Sequence, residues 1–234
     1  MENIADLFLL RKDITFLNFG SFGATPAPIF DAYQKWQRVL EAEPVQYIVF
    51  DGPGYLQTSR EALAKYIGVA DKDDLVFVTN PSFAVNMVAK NFPLQPGDQI
   101  LTTDIEYGAC DRTWEYYCAQ KGAEYVKQKI TLPITSKEKF IEEFFAGITP
   151  NTKAVFISHI TSATALKLPV HEICAIAKQK GLITFVDGAH GPAQTEVDLS
   201  KLQADFYTGA CHKWMMAPKG CSFLYSHKIV QPIC

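Results

Sequence analysis

Two side chains in this sequence have the type and setting to do covalent chemistry together. Asp187 ends the apolar run LITFVD (Leu182–Asp187) and is followed by Gly188, Ala189 and His190. Lys213 lies in ACHKW, just beyond the next such run, DFYTG (Asp205–Gly209). A carboxylate at the end of an apolar strand faces a crevice but is backed by a dry sheet. It could cap a helix, or it could hold a cation. A protonated pyridine nitrogen is a cation of that kind, and its ring then draws electrons from a substrate Cα. A lysine between His212 and Trp214 is partly desolvated, which lowers its pKa and frees the amine as a nucleophile. Most lysines are solvated surface residues. Here a single strand-to-strand unit separates Lys213 from Asp187, so neighbouring strands could bring them to opposite sides of one flat ring. The pair points to pyridoxal 5'-phosphate, with Lys213 as the Schiff-base lysine and Asp187 as partner of the pyridine nitrogen.

Two other segments suit the same ligand. TNPSFAVN (Thr79–Asn86) runs from a strand end into a helix. A helix start offers free N–H groups and the positive end of the dipole, a phosphate site. Ser82 could add its hydroxyl there, or simply cap the helix. Pro81 donates no N–H, which weakens the cradle by one group. Tyr107, in DIEYGA, also follows a strand and could cover a ring as a flat apolar lid, or be an ordinary half-buried tyrosine.

Short apolar runs alternate with helical spacing along the chain. Ile29–Ala42 and Tyr55–Ile67 read as helices, the second stopped by Gly68. Strands are expected at Leu75–Thr79, Gln99–Thr103, Ala123–Lys127, Lys153–Ser158, Leu182–Asp187, Asp205–Gly209 and Cys221–Tyr225. Helices are expected at Ser82–Asn91, through Trp114 and Tyr117, at Ser136–Phe145 with Ser136 as N-cap, and at Val170–Lys180. Strands apolar throughout and separated by helices indicate an α/β fold, a three-layer αβα sandwich around a mostly parallel seven-stranded sheet. Ligands of such sheets lie outside the carboxyl ends of the strands, where the residues above fall.

The bulk composition excludes other classes. The chain has 234 residues and a net charge of −3 with both signs mixed, which gives no reason to expect nucleic acid or an anionic membrane. No apolar run is long enough to span a bilayer, and the N-terminus lacks a cleavage-site pattern, so a cytoplasmic protein is expected. Six cysteines, Cys110, Cys118, Cys174, Cys211, Cys221 and Cys234, show no C-x-x-C spacing, and the five histidines show no metal spacing. No G-x-G-x-x-G follows the first strand, which argues against a dinucleotide binder.

The chain resembles the class V aminotransferase family of fold-type I pyridoxal-phosphate enzymes, within it the isopenicillin N epimerase-like branch. LNFGSFGATP (Leu17–Pro26), EAEPVQYI (Glu41–Ile48), ISHITSATALKLPV (Ile157–Val170), VDGAH (Val186–His190) and HKW…PKG (His212–Gly220) carry the resemblance. It implies that His190 lies near the phenolic oxygen of the cofactor, that Ser82 binds its phosphate beside Asn80 and Phe83, and that Tyr107 stacks on the ring. It implies that His212 meets the phosphate or positions Lys213, and that Ser162 and Thr164 border the ring. The chain departs from the family at Asn80 and Pro81 in the phosphate turn, at Ser162 in place of an Asn, at Ala165 in place of a Gly, and at Ala210 in place of a polar residue. Family members continue well past the PKG segment. The expected organisation is therefore an N-terminal arm and helix (1–50) and an incomplete cofactor-binding large domain (51–234), with the small C-terminal domain missing. The resemblance further implies an amino-acid substrate and a homodimer. Reaction at Cα could end in epimerisation, transamination or elimination. The alternatives are a cysteine desulfurase or C–S lyase, and a non-catalytic binding or dimerisation protein of the same fold.

Overall fold

The computed structural model describes residues 4–233; Cys234 lies outside the described residues. Two helices come first, α1 (Ala27–Ala42) and α2 (Gly52–Tyr66), joined through a π-helical turn at Gln46–Asp51. Strands and helices then alternate: β1 (Leu75–Val78), α3 (Pro81–Asn91), β2 (Gln99–Thr103), α4 (Gly108–Gln120), β3 (Glu124–Gln128), α5 (Lys137–Phe145) and β4 (Thr152–Ser158). They continue as α6 (Val170–Gln179), β5 (Ile183–Gly188), the single turn α7 (Leu199–Leu202), β6 (Phe206–Ala210) and β7 (Ser222–Ser226). Every strand and helix expected from the sequence is present, with ends shifted by a few residues at most.

The seven strands form one sheet in the order β1-β7-β6-β5-β4-β2-β3. The pairs from β6 through β5, β4 and β2 to β3 are parallel, and β7 runs antiparallel to both β1 and β6. Along β4, Ala154 and Phe156 face one way and pack with α3 and α4, through Val85, Val88 and Trp114. Val155 and Ile157 face the other way, against Phe140 of α5 and Ile173 of α6. This two-sided burial explains why the strands read as continuous apolar runs rather than alternating ones.

The helix ends are set by local chemistry. The Asn80 side chain caps α3, its Oδ1 accepting the Phe83 N–H at 2.8 Å. Ser136 caps α5 in the same way, accepting from Lys139 N–H at 3.1 Å. Gly68 follows α2 with φ at +70°, a left-handed conformation that glycine adopts without a side-chain clash. Among the described residues no helix is long and apolar enough to cross a membrane.

Candidate active site

The carboxyl ends of β1, β2, β4, β5 and β6 open onto one cavity of about 340 Å³. Its lining includes Asp187, His190, His212, Lys213, Ser82, Asn80, Tyr107 and Ser162. Of the site residues expected from the sequence, only Phe83 and Thr164 lie outside that lining. Phe83 is half exposed on α3. Thr164 pairs with Thr161, hydroxyl to hydroxyl at 2.6 Å. Phe22 also lines the cavity, whereas Tyr47 packs against Trp36 and Tyr55, and the Trp214 indole bonds His190.

Asp187 sits at the end of β5, opposite Ser158 of β4 in the parallel register. It is 4% exposed. Burial raises its pKa, while the N–H of Ala189 at 2.9 Å, the charge of Lys213 and the thiol of Cys110 pull it back down. Gly188 lets the chain turn away here: a Cβ at that position would lie 2.0 Å from the Tyr207 ring.

Lys213 has its pKa lowered, first by burial and against the pull of Asp187. Its Nζ lies 3.3 Å from His190 Nε2. The Trp214 indole N–H donates to His190 Nδ1 at 3.2 Å. An indole only donates, so Nδ1 is the acceptor and the neutral ring carries its proton on Nε2. Burial and the Lys213 charge depress the His190 pKa to about 4, which keeps the ring neutral near pH 7. His190 therefore presents its Nε2–H edge to the cavity, beside the Lys213 amine. The segment before α1 packs on the lysine turn: Gly23 N–H donates to the His212 carbonyl at 3.0 Å, and a Cβ on Gly23 would lie 2.0 Å from the Lys213 carbonyl.

The phosphate end is arranged differently from the simplest sequence expectation. Asn80, not Ser82, caps α3, because the helix starts one residue earlier, at Pro81. Asn80 thereby consumes the Phe83 N–H. Pro81 has none, so the Ser82 N–H and hydroxyl are what the helix start offers to an anion. His212 keeps its Nδ1 on the Cys221 carbonyl at 3.0 Å, leaving Nε2 as its other polar atom. Ala165, at the family's usual glycine, has φ at +54°, a conformation that costs a non-glycine residue about 1 kcal/mol or more.

Two buried groups escaped the sequence reading. Glu106, 9% exposed, accepts from Thr103 Oγ1 at 2.8 Å and from Ser158 N–H at 3.0 Å, and also from the Ser158 hydroxyl. Burial raises its pKa to about 7, and Asp187 adds to the rise. Cys110, on the first turn of α4, donates its thiol to Asp187 Oδ2 at 3.5 Å. Ser158 is 52 residues from Glu106 and Asp187 is 77 from Cys110, so no local spacing announces these contacts.

A buried carboxylate, a desolvated lysine, a helix start and an exposed tyrosine face share this cavity, a donor set that fits a flat, anionic, cationic-nitrogen cofactor. Comparison with known proteins gives the family. The isopenicillin N epimerase of Amycolatopsis lactamdurans is 37% identical over 226 residues, covering 95% of this chain and 56% of that protein. A putative L-cysteine desulfhydrase of Oryza sativa is 31% identical over 226 residues, covering 91% of this chain and 47% of that protein. The chain thus spans about half the length of the curated relatives it matches. For the fold alone, the solved structure of the cystine C–S lyase C-DES with cysteine persulfide superposes with a TM-score of 0.84 at 24% identity, over 95% of this chain and 59% of that one. Escherichia coli cysteine desulfurase CsdA gives 0.81 at 24% identity, over 97% and 58%. The aminotransferase class-V family model matches residues 53–232, and the chain belongs to that family.

Proposed function

We propose that this chain forms the greater part of a pyridoxal-phosphate enzyme acting at the Cα of an amino acid, in the manner of isopenicillin N epimerase. The observation that carries the reading is that Asp187 and Lys213 line one cavity and lower the cost of each other's charge. Asp187 would hold the pyridine nitrogen, His190 the phenolic oxygen through Nε2–H, Ser82 and His212 the phosphate, and Tyr107 one face of the ring. Ser162 and Asn80 would border it. Phe83 and Thr164 would act from outside the cavity, through the helix start and the Thr161 hydroxyl. When bound, the cofactor supplies an electron-withdrawing ring that stabilises negative charge at the substrate Cα. Lys213 would hold the cofactor through its amine, whose uncharged form desolvation favours. Once displaced, that amine can take the Cα proton and return it, as a general base and acid of suitable pKa.

Which face receives the proton, and whether a β substituent leaves, decides between epimerase and C–S lyase. Identity to the epimerases favours the first; the likeness to a named cysteine desulfhydrase keeps the second in view. We further place the protein in the cytoplasm, where its five described cysteines, all unbridged, would stay reduced. We assign residues 1–50 to an N-terminal arm and helix and residues 51–234 to an incomplete cofactor-binding large domain. We read the chain as one half of a homodimer, because Val45, Ile48, Val49 and Phe50 are all more than half exposed.

The test is a visible spectrum of the purified protein with and without added pyridoxal phosphate, followed by borohydride and peptide mapping. The expected result is a yellow protein whose cofactor becomes fixed to Lys213, and a colourless Lys213→Ala variant. A protein that stays colourless and takes up no cofactor would favour a non-catalytic binding role. Spectral shifts on adding single amino acids, with assays for racemisation and for sulfide release, then separate the two reaction types.

A further inference from the structure

The Asp187 carboxylate is held from two sides. Ala189 N–H donates to Oδ1 at 2.9 Å, and the Cys110 thiol donates to Oδ2 at 3.5 Å. Cys110 is 1% exposed and lies three residues after Tyr107, on the same first turn of α4. One turn of helix therefore carries both the tyrosine beside the cavity and a clasp on the carboxylate within it. Burial and the charges of Asp187, Glu106 and Asp111 push the thiol pKa well up, so the sulfur remains an S–H donor.

We propose that Cys110 is a positioning residue for Asp187: its S–H fixes the carboxylate's orientation and leaves it basic enough to hold a cationic ring nitrogen. The proposal rests on the pyridoxal-phosphate reading of the site. The chemistry of the donor is the argument. A thiol is a weak donor with a long reach. An O–H donor to the same oxygen would bond more strongly and withdraw more of its negative charge. An aliphatic side chain would leave Oδ2 without that donor in a dry place, where unpaired acceptors are costly. Glu106 is bonded to Ser158, the register partner of Asp187, and the Asp187 charge helps to raise its pKa.

The experiment reads the S–H stretch by infrared spectroscopy, in a window where other protein groups do not absorb. The band of Cys110 is assigned in the cofactor-free protein by difference against Cys110→Ala. We expect it below the frequency of an unbonded thiol, moving up toward that frequency in Asp187→Ala. We expect it to move again when pyridoxal phosphate is added to the parent protein. Cofactor release, followed by visible absorbance during dialysis, should be about fivefold faster in Cys110→Ala. Cys110→Ser, which keeps a donor but withdraws more charge, should restore retention only in part while displacing the pH midpoint of the visible band, which a packing role alone would leave in place. A Cys110 band at the unbonded position, unmoved by Asp187→Ala, would overturn the proposal whether or not the cofactor binds. A displaced band in a protein that takes up no pyridoxal phosphate would instead sink the functional reading, and with it the role given to the clasp.

Discussion

Two helices with similar apolar stripes meet opposite fates in this molecule. In α6, Val170, Ile173, Cys174 and Ala177 are all buried against the sheet. In α1, no residue is buried, and Ile29, Tyr33 and Trp36 are each more than a third exposed. Both helices have the periodicity of a one-sided element. The difference is what lies beneath them. α6 joins two adjacent parallel strands and must return across the sheet face. α1 precedes the sheet and has no strand to cover. An apolar stripe therefore states a demand for burial, and only topology says whether the chain meets it.

The widest gap between the two regions should appear on truncation. Phe156, in the centre of β4, is fully buried; replacing it with Ala should cost about 3–5 kcal/mol in urea unfolding. Trp36→Ala should cost about 1 kcal/mol or less, since its main contact is the Tyr55 ring at 4.8 Å on the open face of α1. Similar losses would break the comparison.

The pH response should also belong to the sheet. Burial depresses the His159 pKa to about 4 and raises that of Glu106 to about 7. The lowered histidine adds stability that is complete above pH ~6.5 and is lost as pH falls toward 4. The raised carboxyl adds stability that is complete below pH ~4.5 and is lost as pH rises through 7. The two oppose each other, at up to about 3 kcal/mol each. Glu106→Gln should remove the second and make stability climb more steeply between pH 5 and 8. An unchanged slope in urea midpoints would show that Glu106 is ionised in the fold.

On the open side, Ile48→Glu with Phe50→Glu should leave the unfolding midpoint nearly unchanged while lowering the mass found by light scattering to that of one chain. A monomeric parent would remove the contrast. The smallest effect sharpens the helix-start assignment. Asn80→Ala should cost about 1 kcal/mol by loss of a cap, whereas Ser82→Ala should leave stability within about half a kcal/mol and speed cofactor release.

Much of the candidate site was legible as a place because its residues lie at strand ends. Asp187, His190, His212, Lys213 and Tyr107 each lie just after an apolar run, and a parallel sheet gathers such positions at one edge. The helix start was legible as a place but not in its roles. Capping by Asn80 rather than Ser82 turns on whether Pro81 is the first helical residue, and proline fits that position as readily as it fits the loop before it. Cys110 and Glu106 were silent, since each reads locally as an ordinary helix or loop residue.

Sequence by itself determined the order of strands and helices, the two-sided burial of the sheet, and the placing of a lysine and an acid at the ends of neighbouring strands. Those features follow from side-chain periodicity and from the chirality of parallel crossovers, which act over tens of residues. Only the tertiary structure decided which donors reach Asp187, which tautomer Trp214 imposes on His190, and which apolar faces stay open. The Cys110–Asp187 and Trp214–His190 contacts depend on atoms brought within 3–4 Å by segments far apart in the chain, and no local pattern encodes such a distance.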